Sequence, residues 1–539
     1  MTYAVGIDFG TESARALLVD CEDGTEVAVE VHAYESGVID EQLDGVALEP
    51  EWALQDPRDY VSSLQHAVPK LLAEAGVPAD SIAGIGIDFT SCTMLPTLAD
   101  GRPLCFVDEL RGEPHAWVKL WKHHAAQSEA DRINAVAGER GEPWLQRYGG
   151  RYSSEWFFSK ALQILDEAPE VYARADRLLE AADWIVWQLT GVETRNMCTA
   201  GYKAMWSKRD GFPDRDFFAA LDPRFADVVD EKMSRALAPL GDRAGGLCER
   251  AAAWTGLLPG TPVAVANVDA HVSVPAVGVT GPGRFVAIMG TSTCDVLLGA
   301  DLAPVDGMCG VVEDGVLPGL YGYEAGQSAV GDIFAWFVEQ VGDTHSALAA
   351  DAARLRPGES GLLALDWWNG NRSVLVDADL RGLIVGLTLA TRPPEIYRAL
   401  IEATAFGTRV IVESFERAGV PVDGIVACGG LPDRNPLLMQ IYADVCGREI
   451  EVASSAQAPA LGAAMFGAVA AGVHETIVDA VHAMAAPPQV TYVPDPVHFE
   501  TYDALYREYL RLHDLFGRGG DDVMRNLKAL QRSTPIAVS

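Results

Sequence analysis

Two distant segments of this chain follow one plan. Residues 3–9 and 14–20 read as short apolar strands around a tight turn, "VGIDFGTESARALLVD" from residue 5. "GRFVAIMGTSTCDVLLG" (283–299) repeats strand, Gly-Thr-Ser turn and strand. Such turns are common, so the echo alone leaves open a chance likeness. Taken as a duplication, it predicts a second domain of related topology and two small-residue turns opposed across a cleft. A chain of 539 residues has room for two domains, each with a large core. We place the boundary near residue 260, giving units of 1–262 and 263–539.

Between and after the hairpins the signals are regular. Asp56 as N-cap, Pro57 in the first turn and Gly76 as stop predict a helix over 57–75. "IAGIGIDFTSCTMLP" (82–96) reads as a buried strand and a polar turn, and 153–192 as mostly helical with apolar faces. Gly256, Gly260 and Pro262 are hinge candidates or an ordinary loop. "VDGIVACGGLPDRNPLLMQIYADVCG" (422–447) runs strand, Gly-Gly turn, helix, with Asn435 as N-cap and Gly447 as stop. Residues 496–516 predict a closing amphipathic helix and 530–539 a loose tail.

Charge excludes some partners. Asp+Glu total 76 against 41 Lys+Arg, a formal −35, so nucleic acid and anionic membrane are not expected as partners. No signal sequence and no membrane-length apolar run is read, and nine scattered cysteines form no CxxC pair. These features predict a cytoplasmic protein with reduced thiols and no structural zinc.

The chemistry should sit at the turns. No GxxxxGK[ST] loop and no GxGxxG after the first strand is present, so an ATP site needs another design. A hairpin turn of small residues brings amide N–H groups against phosphate oxygens. Thr11 and Ser13 add hydroxyls, and Asp8 at the strand end can hold Mg²⁺ through water. "MGTST" supplies a second turn, and "CGGLPDRNP" two glycines where a flat base can approach the backbone. "NVDAH" sets Asp269 at the end of a strand read as opening the second domain, as a candidate base or metal partner.

"GIDFGTESAR", "NVDAH", "MGTST", "GYEAGQSAVGD" and "GGLPDRNPLLMQIYADV", in this order, resemble the FGGY carbohydrate kinases of the actin-like ATPase superfamily. The resemblance spans residues 1 to about 475. It implies an α/β fold of two ribonuclease-H-like domains flanking a catalytic cleft, with sugar on the first domain and ATP-Mg²⁺ mainly on the second. By position, Asp269 resembles the catalytic base, Asp8 and Thr11 the metal and phosphate site, and Gly290, Thr291 and Ser292 the second phosphate turn. Gly429, Gly430 and Asn435 resemble the nucleotide pocket.

"DFTSCTMLP", "AGYKAMW" and "NPLLMQIYADVCGREI" are most similar to the branch of the family that phosphorylates L-ribulose in arabinose breakdown. That implies a sugar site of Ser91, Trp121, Lys203, Asp269 and Glu324, with Lys203 and Glu324 placed on opposite sides of the sugar. Taken alone, Trp121 also suits a core, Lys203 a surface and Glu324 a helix cap. The implied partners are sugar and ATP, and a homodimer is left open. Xylulose or ribitol as substrate, and a sugar sensor without turnover, are the competing readings.

Overall fold

The computed structural model describes residues 1–533. Its two large sheets repeat one topology. In the first, Glu26–Ala33, Ser13–Asp20, Tyr3–Phe9, Ile82–Phe89 and Pro262–Ala264 lie side by side in that order. The first three strands are antiparallel neighbours, and the next two run parallel to Tyr3–Phe9. In the second, Tyr321–Gln327, Thr293–Gly299, Gly283–Met289, Val422–Cys428 and Ile450–Val452 reproduce the same order and the same directions. The echo between residues 3–20 and 283–299 is therefore a duplication, and each half has the ribonuclease-H-like plan.

Local signals place the helices. Pro57–Ala75 starts on Asp56, whose side chain accepts from the Arg58 amide, and stops at Gly76 with φ of 64°. Pro436–Cys446 starts on Asn435 and ends at Gly447. Pro496–Gly517 is the amphipathic helix expected near the end. The expected loose tail is a helix, Val523–Ser533, as far as residue 533; 534–539 lie outside the described residues. All nine cysteines are free, and no described helix is long and apolar enough to cross a membrane.

One expectation is corrected, and of two readings left open at residues 256–262 the loop is favoured. The strand Asn267–Val268 pairs with Ile82–Phe89, so it completes the first sheet and does not open a second unit. The crossing comes later, after the helix Asp269–Ala276. Gly256 caps the helix Glu249–Thr255, and Gly260 precedes the strand Pro262–Ala264 within the same sheet, so this stretch is an ordinary loop. Its hydrophobic neighbours belong to one core, which leaves no seam at which to bend.

The seam between the halves lies at the helix Ala458–Ala470. The chain leaves the second sheet and lays this helix, rich in Ala and Gly, across Tyr3–Phe9 and Ile82–Phe89 of the first. Contact is backbone to backbone. A Cβ at Gly6 would stand 1.8 Å from the Ala460 carbonyl oxygen, and one at Gly86 1.7 Å from that of Ala463. The close glycines of "GIGID" thus serve helix packing. Gly86→Ala is expected to force the layers apart at a cost of about 1–3 kcal/mol or more. Gly138→Ala, inside the helix Gln127–Arg140 with nothing within 4 Å of the new methyl, should instead stabilise by about 0.5–1 kcal/mol. Thermal unfolding of both variants checks the opposite signs.

A smaller four-stranded sheet, Leu54–Gln55, Val118–Lys119, Met94–Thr97 and Arg177–Glu180, builds an accessory layer. Its core is aromatic, with Trp144, Tyr148, Tyr152 and Trp156 meeting edge-on or tilted. Trp121 follows its strand Val118–Lys119, and Tyr152 of its core holds the Lys203 carbonyl.

Candidate active site

Three carboxylates converge at the carboxyl ends of parallel strands, where open α/β sheets place their ligands. Asp8 and Asp88 are cross-strand partners, and Asp269 follows the neighbouring strand as the first residue of its helix. Asp8 is buried and meets Arg15 Nη1 at 3.3 Å. Asp88 is fully buried, and neither of its oxygens has a hydrogen-bond partner. Burial raises the Asp8 carboxyl above its usual range, with Arg15 opposing. Burial, then Asp8 and Asp269, push Asp88 up strongly. Burial and Asp8 bring Asp269 to about 7. A group with that affinity can accept a proton near neutrality.

This cluster carries excess negative charge and buried oxygens without donors, so its chemistry fits a divalent cation. Among the described residues no three of His, Cys, Asp and Glu form a complete metal cage.

The two turns are closed from within and braced from outside. Gly10 N–H donates to Ser13 O at 3.0 Å, and Gly290 N–H to Ser292 O at 2.9 Å. Gln55 Nε2 donates to Thr11 O at 2.7 Å, and Trp121 Nε1 to Thr11 Oγ1 at 3.0 Å, so the candidate sugar and phosphate residues touch. The Thr291 carbonyl accepts from Val330 N–H at 2.9 Å, tying the second turn to the start of the helix Gly331–Val341. The repeat is chemically unequal. Asp8 faces Arg15 across the first hairpin, whereas Ile288 faces Cys294 across the second, so only one turn carries an acid.

At the Gly-Gly turn the glycines differ. Gly429 has φ of 97°, and a Cβ there would stand 2.5 Å from the Met289 carbonyl oxygen. Gly430 begins the short helix Gly430–Arg434 and has open space on its Cβ side. Asn435 Oδ1 accepts from the Leu438 amide as a helix cap. Gly430→Val should fold and raise the ATP KM about tenfold or more by filling the space a base would occupy. Gly429→Val should lose stability first. Calorimetry with ATP on the folded Gly430 variant checks this.

The sugar-site expectation needs one correction. Lys203 and Glu324 do not stand apart: Lys203 Nζ lies 2.6 Å from Glu324 Oε1, both side chains buried. A buried charge without a partner is too costly, so the two neutralise each other directly. Lys203 ends the helix Met197–Lys203, and Tyr152 Oη donates to its carbonyl at 2.5 Å. Glu324 sits mid-strand in the second sheet, so the pair bridges the halves. Glu324 Oε2 lies 3.2 Å from His271 Nε2, and the His271 ring stacks on Tyr202 at 4.0 Å. Burial opposes the charge on both partners, yet their attraction holds Lys203 above and Glu324 below the ordinary ranges. Ser91 and Trp121 are both half-buried on loops beside the first sheet.

Sequence reasoning missed Arg15, Asp88 and His271. Asp88 had a signal: "GIDF" at 86–89 repeats "GIDF" at 6–9, and the two tetrapeptides pair residue for residue. His271 stands two residues after Asp269 in "NVDAH". Only the fold brings it to Glu324.

The N-terminal domain of the FGGY family of carbohydrate kinases matches residues 3–276, and the C-terminal domain matches 285–471. A ribulokinase of Geobacillus thermodenitrificans is 56% identical over 98% of this chain and 96% of its own length. One of Shouchella clausii is 57% identical over 98% of both. The xylulose kinase of Rhodospirillum rubrum superposes with a TM-score of 0.80 at 23% identity, covering 95% of this chain and 98% of that one, a likeness of fold. With both domains matched in order on two copies of one topology, this chain belongs to the FGGY family of carbohydrate kinases.

Proposed function

We propose that this kinase transfers the γ-phosphoryl group of ATP to the terminal hydroxyl of L-ribulose, giving L-ribulose 5-phosphate and ADP in cytoplasmic L-arabinose breakdown. The observation that carries this reading is identity of 56% over 98% of the chain to a protein named ribulokinase. The geometry supports it. Asp269, at the end of its strand in the first sheet, accepts the proton of the attacking hydroxyl. The turns at 10–13 and 290–292 offer the amides of Thr11, Glu12, Thr291 and Ser292 to the phosphates, those of Gly10 and Gly290 being spent within the turns. Gly429 and Gly430 leave the base a flat approach, with Asn435 fixing the helix behind it.

Asp8, supported by Asp88, would hold Mg²⁺, which supplies positive charge to the transferring phosphoryl group when bound. The rest is positioning and exclusion of water. Ser91, Trp121, Lys203 and Glu324 hold the sugar: Lys203 donates, Glu324 Oε2 accepts, and Trp121 covers an apolar face. On this reading the half up to the helix Asp269–Ala276 binds mainly the sugar, with Glu324 reaching it from the second half, and the second half binds mainly ATP.

A coupled ADP-release assay over ketoses and polyols tests the substrate. L-Ribulose should give the highest kcat/KM, with its epimers lower by about 1–3 kcal/mol per hydroxyl left unpaired. Xylulose or glycerol as the best substrate would overturn the sugar assignment and leave the family intact.

A further inference from the structure

Lys160 lies in the helix Phe157–Glu167 and is fully buried. It donates to the Cys92 carbonyl at 2.6 Å and to the Leu120 carbonyl at 2.7 Å. Among the described residues no carboxylate hydrogen-bonds it, and burial lowers its ammonium to about 8, with Glu180 and Glu155 opposing from a distance. A lysine so deep in a core, spent on two main-chain oxygens, is an expensive way to pack a helix.

Its two acceptors mark its role. Cys92 follows Ser91, and Leu120 precedes Trp121. Cys92 has φ of 60°, a left-handed conformation that a residue with a side chain adopts only when its surroundings impose it. That conformation turns the Cys92 carbonyl into the core, where Lys160 receives it. The Leu120 loop is also tied to Ala53, whose carbonyl accepts from Leu120 N–H at 2.9 Å, and the strands that carry the two loops pair once, at Met94 and Lys119, so Lys160 is the bond between them at the loops themselves. The same helix start brings Trp156 over the Lys203 ammonium at 5.4 Å, and Glu155 to 3.8 Å from Arg372 of the second half.

We propose that Lys160 is a positioning residue for the sugar: one ammonium group locks the Ser91 loop and the Trp121 loop into a single wall of the sugar site. This rests on the reading that Ser91 and Trp121 face the sugar. Lys160 touches neither substrate. It acts by fixing where two loops stand, and a displacement of about 1 Å at such a wall is enough to cost a large factor in rate or affinity.

The test compares the wild-type chain with Lys160→Met, which keeps the stem and removes the donors, and Lys160→Gln, a neutral two-proton donor. Steady-state kinetics should show the sugar KM raised about tenfold or more in Lys160→Met, with the ATP KM within about twofold of wild type. Lys160→Gln should fall between, and it carries the comparison should the Met variant not fold. Hydrogen exchange on the unliganded proteins should speed up at residues 90–94 and 118–122 together, and not in the helix Pro57–Ala75. Equal rises in the sugar and ATP KM, or unchanged exchange at either loop, would overturn the proposal. Faster exchange at both loops with an unchanged sugar KM would overturn it too, and with it the placement of Ser91 and Trp121. A wild-type chain inactive on every sugar would sink the kinase reading alone, while the exchange arm still decides whether Lys160 couples the loops.

Discussion

Asp269→Asn is expected to lower kcat at least about 10²-fold with the ATP affinity within about twofold of wild type, the signature of a lost general base rather than a lost binding contact. The substitution keeps size and removes the proton acceptor. It also removes a negative charge from beside Asp8 and Asp88, so the variant should be no less stable than wild type. Burial and Asp8 hold the Asp269 carboxyl at about 7 before substrates bind. Its basic form, and with it kcat/KM, should therefore fall as pH drops through that value, and a bound cation beside Asp8 should move the limb to lower pH. Rapid-quench measurement of the first turnover at several pH values checks both points. Near-normal turnover by Asp269→Asn would remove this residue from the mechanism.

The second large effect concerns the ion pair across the cleft. Lys203→Met strands the buried Glu324 carboxylate beside the His271 ring and should destabilise the fold by about 3–5 kcal/mol. Glu324→Leu should do similar damage from the other side. The double variant should lose far less than the sum, because two apolar side chains of similar volume replace a pair that gained little net stability. Catalysis should not follow stability. All three variants should lose sugar affinity, since the sugar needs the donor and the acceptor themselves. Urea unfolding and sugar titration on the same four proteins separate the two roles. If the double variant regains both stability and sugar binding, the pair serves the fold and the sugar lies elsewhere.

Some of this was legible in the chain because the signals are local. A helix cap, a stop glycine or a hairpin turn is set by a few adjacent residues and their backbone preferences. Asp56, Gly76, Asn435 and Gly447 therefore stand where their residue types place them. The hairpin repeat was legible for the same reason, although by itself it left a chance likeness open. Asp8 and Asp269 were visible as acids closing apolar strands. Asp88 is equally visible in a repeated tetrapeptide.

What the sequence determined by itself was the inventory: two copies of a strand-turn-strand unit, small hydroxyl turns, strand-end acids and the order of motifs that marks the family. Tertiary structure alone decided which of these meet. It moved the strand Asn267–Val268 into the first sheet, because strand pairing depends on partners nearly two hundred residues away. It put Lys203 on Glu324 and His271, although 121 residues separate the two charges. It turned the glycines at 6, 84 and 86 toward the backbone of the helix Ala458–Ala470. The reason in each case is the same: desolvation penalises any buried charge or polar group until a partner is found, and close packing penalises any gap, and both are satisfied only by residues that folding brings near from elsewhere in the chain.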